Sequence, residues 1–251
     1  MKIRKLNPKN AVRWFSDYEL SLLQKSNEEY TLVKTSVSTK LIFRGQNFWT
    51  NTHKLDVDFM RLIQGVHNDA LAFKETGEIL TGGFPNYFKF KNRFFENRKM
   101  YEIDVNAAYW HVAGELFLSQ KTYNLGLERP KKERLSALGI LARKQKYEFY
   151  KGSELLRVER NVSETRDIYK SVVSRLDYII GNIMENDEGA VGYWVDAIFS
   201  DSVEFAADIL DIHGLKCKII PVSASVIQKS NAFYFQTTRE TNEQRAYFMF
   251  K

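Results

Sequence analysis

A chain of 251 residues, 44% apolar and 14% aromatic, is globular rather than disordered and long enough for one large domain or two small ones. No run reaches the roughly eighteen apolar residues of a membrane helix. The basic start "MKIRKLNPKNAVRWF" lacks the apolar core of a secretory signal. A single cysteine, Cys217, excludes an internal disulfide and a thiolate zinc cluster, and the four histidines show no metal-ligand spacing. A reduced, cytoplasmic setting is expected, with no membrane partner. The net charge is +6, and eight Lys or Arg against two Glu between Arg129 and Lys151 supply all of it. Such a local field attracts phosphates, although a basic run is equally often a solvated helix face.

In chain order, "WFSDYELSLLQK" reads as helix, "YTLVKTSVSTKLIF" as strand, and "VDFMRLIQGVHNDALAF" as helix again. Gly82-Gly83 marks a turn or a close backbone approach. "MYEIDVNAAYW" alternates like a strand as far as Val105; beyond it Ala108, Val112 and Leu116 take helical spacing. Pro130 then precedes a predicted helix, "KKERLSALGILARKQKYEFY". "SETRDIYKSVVSRLDYIIGNIM" is amphipathic, with Ile168, Val172, Leu176 and Ile179 on one face. "NDEG" is a turn signal, "AVGYWVDAIFSD" a strand pair, and "VEFAADILDIHGL" a helix ended by Gly214. "CKIIPVSASVI" and "NAFYFQTT" are strand-like. This order predicts an α+β fold, with helices packed on one face of a largely antiparallel sheet.

Two carboxylates stand out. Asp104 lies near the end of one predicted strand, and Asp196 lies on another between the apolar Trp194 and Ile198. A buried carboxylate needs compensation from an arginine, a backbone turn or a metal ion. Either aspartate alone fits a turn or an ion pair. Together, with a basic helix between them in sequence, they supply the parts of a two-metal phosphoryl-transfer site: converging acids for Mg²⁺ and cations for a triphosphate. Glu102, on the face of Asp104, is either a third ligand or an exposed strand residue.

The stretch "LTGGFPNYFKFKNRFFENRKMYEIDVNAAYW" resembles protein-primed family B DNA polymerases of bacteriophages, where a Tyr-x-Gly-Gly motif leads to motif A, Asp-Val-Asn-Ser-Leu-Tyr-Pro. The resemblance implies that Asp104 is a catalytic metal ligand, joined by the Val105 backbone carbonyl, and that Tyr109 is the steric gate against a ribose 2′-hydroxyl. Gly82 and Gly83 match the glycine pair and imply a nucleic-acid contact, while Leu80 replaces the tyrosine. "RLSALGILARK" is similar to the motif B fingers helix. That places Arg134 in the triphosphate role, with Lys131 and Arg143 beside it, although Leu138, Leu141 and Ala142 replace three motif residues. "YWVDAIF" looks like motif C, with Asp196 on the essential second aspartate and Trp194 on the first. "VIQKSNAFYF" is similar to the Lys-x-Tyr strand and gives Lys229 to the primer, with Lys144 as a further nucleic-acid contact.

The resemblance spans about residues 80 to 232 and implies a palm with reduced fingers and neither exonuclease nor thumb. The corresponding division is an N-terminal α+β segment at 1–80, a first palm part at 81–127, a fingers helix at 128–152 and a second palm part at 153–251. The expected function is a minimal polymerase or primase of a phage or mobile element, acting on DNA and dNTPs with Mg²⁺ or Mn²⁺. A terminal or other replication protein is a candidate partner, and host cytoplasm the expected location. The alternative is a non-catalytic palm-fold protein that initiates replication or binds DNA.

Overall fold

The structure, a computed structural model, describes residues 14–34, 39–50, 57–77, 88–91, 94–229 and 232–249. The chain opens with β1 (Trp14–Phe15), α1 (Asp17–Gln24), β2 (Glu29–Lys34), β3 (Thr39–Phe43), β4 (Gln46–Thr50) and α2 (Val57–Thr76). β5 (Phe88–Phe90), β6 (Arg98–Val105), α3 (Ala108–Leu116), α4 (Gln120–Leu127) and α5 (Lys131–Gly139) follow. After a 3₁₀ turn at Ile140–Ala142 come β7 (Lys144–Lys151), β8 (Glu154–Val162) and α6 (Arg166–Asn186). The last elements are β9 (Ala190–Trp194), β10 (Ala197–Ser200), α7 (Glu204–Ile212), β11 (Cys217–Lys229), β12 (Ala232–Arg239) and β13 (Gln244–Met249). The fold is α+β, as the pattern predicts, and no helix among the described residues is long and apolar enough to cross a membrane.

The chain divides into two compact units, one from residues up to Leu71 with Ser136–Arg166, the other from Ala72–Leu135 and Asp167 onward. The first holds a sheet of order β1-β4-β3-β2-β7-β8, antiparallel except for the short β1–β4 pair. A capping box starts α1: the Glu19 N–H donates to Ser16 Oγ, and the Ser16 N–H donates to the Glu19 carboxylate. Leu23, Tyr30, Leu32, Leu41, Phe43 and Phe48 form the core, with Tyr150 stacked on Tyr30 at 5.2 Å.

This unit corrects two expectations. The fingers helix expected over 128–152 ends at Gly139, and residues 144–162 form the β7–β8 hairpin. "KQKYEFYK" alternates with period two, and β2 offers it a partner edge, with Tyr30 opposite Tyr150. Gly152 turns the hairpin at φ +57°, where a Cβ would strike the Ser26 carbonyl. The hairpin ties 136–166 to the N-terminal segment, so the boundaries at 80, 127 and 152 do not separate the units.

The second unit is a sheet of order β13-β12-β11-β6-β10-β9-β5, antiparallel throughout. Ile103, Ile198 and Tyr193 form one cross-strand row, and the Tyr193 hydroxyl donates to Asp177 of α6 at 2.6 Å. The α6 face that this contact seats buries Ile168, Val172, Leu176, Ile179 and Ile183. Each such side chain contributes about 1.5–3 kcal/mol. Trp110 of α3 lies against Gly126 of α4 and donates to the Tyr123 carbonyl at 3.2 Å. On the other sheet face Met100, Phe199, Val222 and Phe235 cluster with Tyr247. Tyr247 on β13 stands 5.3 Å from Phe199 on β10, four strands away. A flat sheet would separate them by about 19 Å, so the sheet curls into a half-barrel.

Candidate functional site: a carboxylate pair with a basic rim

Asp104 and Asp196, 92 positions apart in sequence, are brought side by side. β10 runs antiparallel to β6 with Ala197 opposite Asp104, and the Val105 N–H donates to the Asp196 carbonyl at 2.9 Å. Val195 and Asp196 are the two central residues of the β9–β10 turn, since Trp194 pairs with Ala197. Val195 has φ +59°, a left-handed conformation that hairpins normally give to glycine and that costs a β-branched residue about 1–2 kcal/mol. Ala107, just past Asp104, is also left-handed at φ +49°. Backbone strain on both carboxylate-bearing segments is the distribution found at functional sites.

The Asp196 side chain is 17% exposed and lies 3.6 Å from Lys131 Nζ. Burial pushes its carboxyl above the ordinary value, Lys131 pulls it back, and the Asp104 charge adds to the rise. Lys131 and Arg134 stand three apart on α5 and therefore share a face. Arg134 donates to the Arg129 carbonyl at 3.1 Å, and its charge reaches His111 on α3 and Tyr123 on α4. The structure thus gathers Asp104, Asp196, Lys131 and Arg134 in one region. Tyr109 sits in the first turn of α3, five residues after Asp104 and partly buried.

Other expected residues fall elsewhere. β11 runs antiparallel to β6 with Lys218 opposite Asp104 and Ala224 opposite Arg98. Lys229 ends that strand, about 36 Å of extended chain beyond Lys218. The structure therefore puts Lys218, not Lys229, beside Asp104; the strand's direction makes this so. Its signal was present in "LKCKI", where Lys216 and Lys218 alternate at the strand start. Arg143 and Lys144 belong to the first unit, at the end of the 3₁₀ turn and the start of β7. Gly82 and Gly83 lie outside the described residues.

Glu102 is not exposed, and two arginines already hold its carboxylate. It is fully buried and accepts from Arg239 at 2.9 Å and Arg245 at 3.3 Å, from strands two and three places away in the sheet. Trp194 packs on Tyr247 at 5.5 Å, within the half-barrel. Among the described residues no group of three or more His, Cys, Asp or Glu is gathered to hold a metal. The donors near Asp104 are two carboxylates and backbone carbonyls, hard oxygen ligands of the kind Mg²⁺ takes with water and substrate phosphates. Comparison with family models, curated proteins and solved structures finds no match.

Proposed function

We propose that the second unit is the palm-like part of a minimal nucleotidyltransferase related to family B polymerases, extending or initiating a nucleic-acid strand from nucleoside triphosphates. One observation carries this reading: Asp104 near the end of β6 and Asp196 in the β9–β10 turn, distant in sequence, meet where β6 pairs with β10, with Lys131 of α5 beside Asp196. Two adjacent carboxylates repel each other, and a divalent cation relieves that repulsion. Asp104 and Asp196, with the Val105 carbonyl, would hold Mg²⁺ or Mn²⁺; the bound ions would lower the pKa of the attacking hydroxyl and offset charge on the phosphates. Arg134 and Lys131 would orient the triphosphate, Lys218 a primer-strand phosphate, and Tyr109 would discriminate against the 2′-hydroxyl.

The test is metal-dependent incorporation of labelled nucleotide, compared with Asp104→Asn and Asp196→Asn. Loss in both variants, with folding intact, supports the reading; equal incorporation in either removes that aspartate from the chemistry. A second reading, a palm-like nucleic-acid-binding protein without catalysis, is favoured by the Lys131–Asp196 ion pair, which gives Asp196 a protein counter-charge. It predicts salt-sensitive DNA affinity that the aspartate variants leave intact or strengthen.

A further inference from the structure

β8 is the last strand of the first unit's sheet, and among the described residues no strand pairs with its outer edge. Its side chains are exposed nearly throughout, with Leu155, Leu156, Val158 and Val162 between 42% and 49%. The strand carries neither the lysine nor the proline that commonly protects such an edge. Its one irregularity lies opposite Phe149 and Tyr150, before Arg157, which leaves 157–162 regular. The Ser163 N–H donates to the Arg143 carbonyl at 3.0 Å, so the odd-numbered residues from Arg157 turn their backbone polar groups toward β7. Val158, Arg160 and Val162 therefore turn theirs outward, the row of donors and acceptors that a further strand would take.

We propose that a second copy of this chain pairs with this edge, β8 antiparallel to β8, about a two-fold axis at Val158. Charge complementarity selects both the occupant and the register. With Val158 opposite its symmetry mate, Arg157 of each copy stands opposite Glu159 of the partner subunit, twice per dimer. These are non-hydrogen-bonded positions, where side chains approach most closely, while Val158 and its mate exchange their outward N–H and C=O groups. Moving the axis to Arg157, Glu159 or Arg160 sets like charges face to face. Within one copy, Arg157 lies 3.9 Å over the Phe149 ring and 3.4 Å from Glu159, the ion-pair side chains being 63% and 44% exposed. So exposed a pair holds weakly, and exchanging it for a pair across the axis costs little. This dimer belongs to the first unit and needs nothing of the chemistry at Asp104 and Asp196.

The experiment is sedimentation velocity of the full chain between about 1 and about 100 µM. A monomer–dimer equilibrium is expected, with a dissociation constant of about 10 µM, as suits a single strand edge. Arg157→Glu and Glu159→Arg should each weaken dimerisation by at least about a hundredfold, since each sets two like-charge pairs across the axis. An equimolar mixture of the two single variants should dimerise again, because every pair across the axis is then attractive. Both side chains are exposed, so neither change touches the core, and circular dichroism checks the fold. Val158→Pro removes the outward N–H at the axis and no bond to β7, and should also leave a monomer. A monomer at every concentration overturns the dimer. So does a dimer that both single variants retain, or one that their mixture does not restore. Species growing beyond a dimer with concentration would show open-ended pairing and overturn the two-fold. Dimerisation only after removal of residues 1–13, or only with single-stranded DNA present, gives the edge to another occupant and overturns it too.

Discussion

Glu102→Gln separates a clasp from a ligand. The native carboxylate is buried and shared by Arg239 and Arg245, whose side chains are 18% and 43% exposed. Removing one partner of a buried ion pair costs about 3–5 kcal/mol, because the remaining charge is left uncompensated. Arg245 can turn to water and Glu243 stays within 3.0 Å of both arginines, so we expect about 2–3 kcal/mol. For a unit of this size that corresponds to a fall in Tm of about 4–12 °C. Urea or thermal unfolding followed by circular dichroism measures it. A change below about 0.5 kcal/mol would refute the clasp. Strong loss of nucleotide incorporation with unchanged stability would return Glu102 to the metal-ligand role.

Three more outcomes follow from particular contacts. Burial raises the Glu148 carboxyl, but hydrogen bonds from Lys146, Lys34 and Tyr150 outweigh it and hold it at about 2. Its folded pKa is depressed, so its contribution is present above the ordinary carboxylate value and is lost as pH falls towards 2. Discounted for half-exposed lysines it is about 1–3 kcal/mol, and Glu148→Gln should remove that part of the acid dependence in urea titrations; identical pH profiles would contradict this. Val195→Gly should be neutral or stabilising by up to about 1 kcal/mol in thermal melts, since glycine accepts the turn's positive φ; a loss above 1 kcal/mol would show that the side chain outweighs the strain. Gly126→Ala places a methyl into the Trp110 ring and should cost about 1–3 kcal/mol, with altered tryptophan fluorescence; an unchanged spectrum and Tm would contradict that packing.

What the sequence made legible was local. The α6 stripe of Ile168, Val172, Leu176 and Ile179 is buried as its period implies, and α7 runs out at Gly214, left-handed at φ +64°. The paired strands around Asp196 were visible as alternation bounded by "NDEG". The hairpin at 144–162 was missed because charged residues suit a helix as well as a two-sided strand. The choice was made by β2, more than 100 positions away. Glu102 was ambiguous because its partners lie 137 and 143 residues downstream and meet it only when the sheet curls. Lys218 became the neighbour of Asp104 through register, which one strand's sequence does not contain.

The most direct test of the central claim is incorporation of labelled dNTPs and NTPs on primed and unprimed single-stranded DNA with Mg²⁺ or Mn²⁺. Wild type should incorporate nucleotide, and Asp104→Asn and Asp196→Asn should each reduce the rate by at least about a hundredfold, the scale of a lost charge-stabilising group. Absence of incorporation by wild type on every template, with DNA binding equal in all three proteins, would contradict the account and leave a nucleic-acid-binding fold.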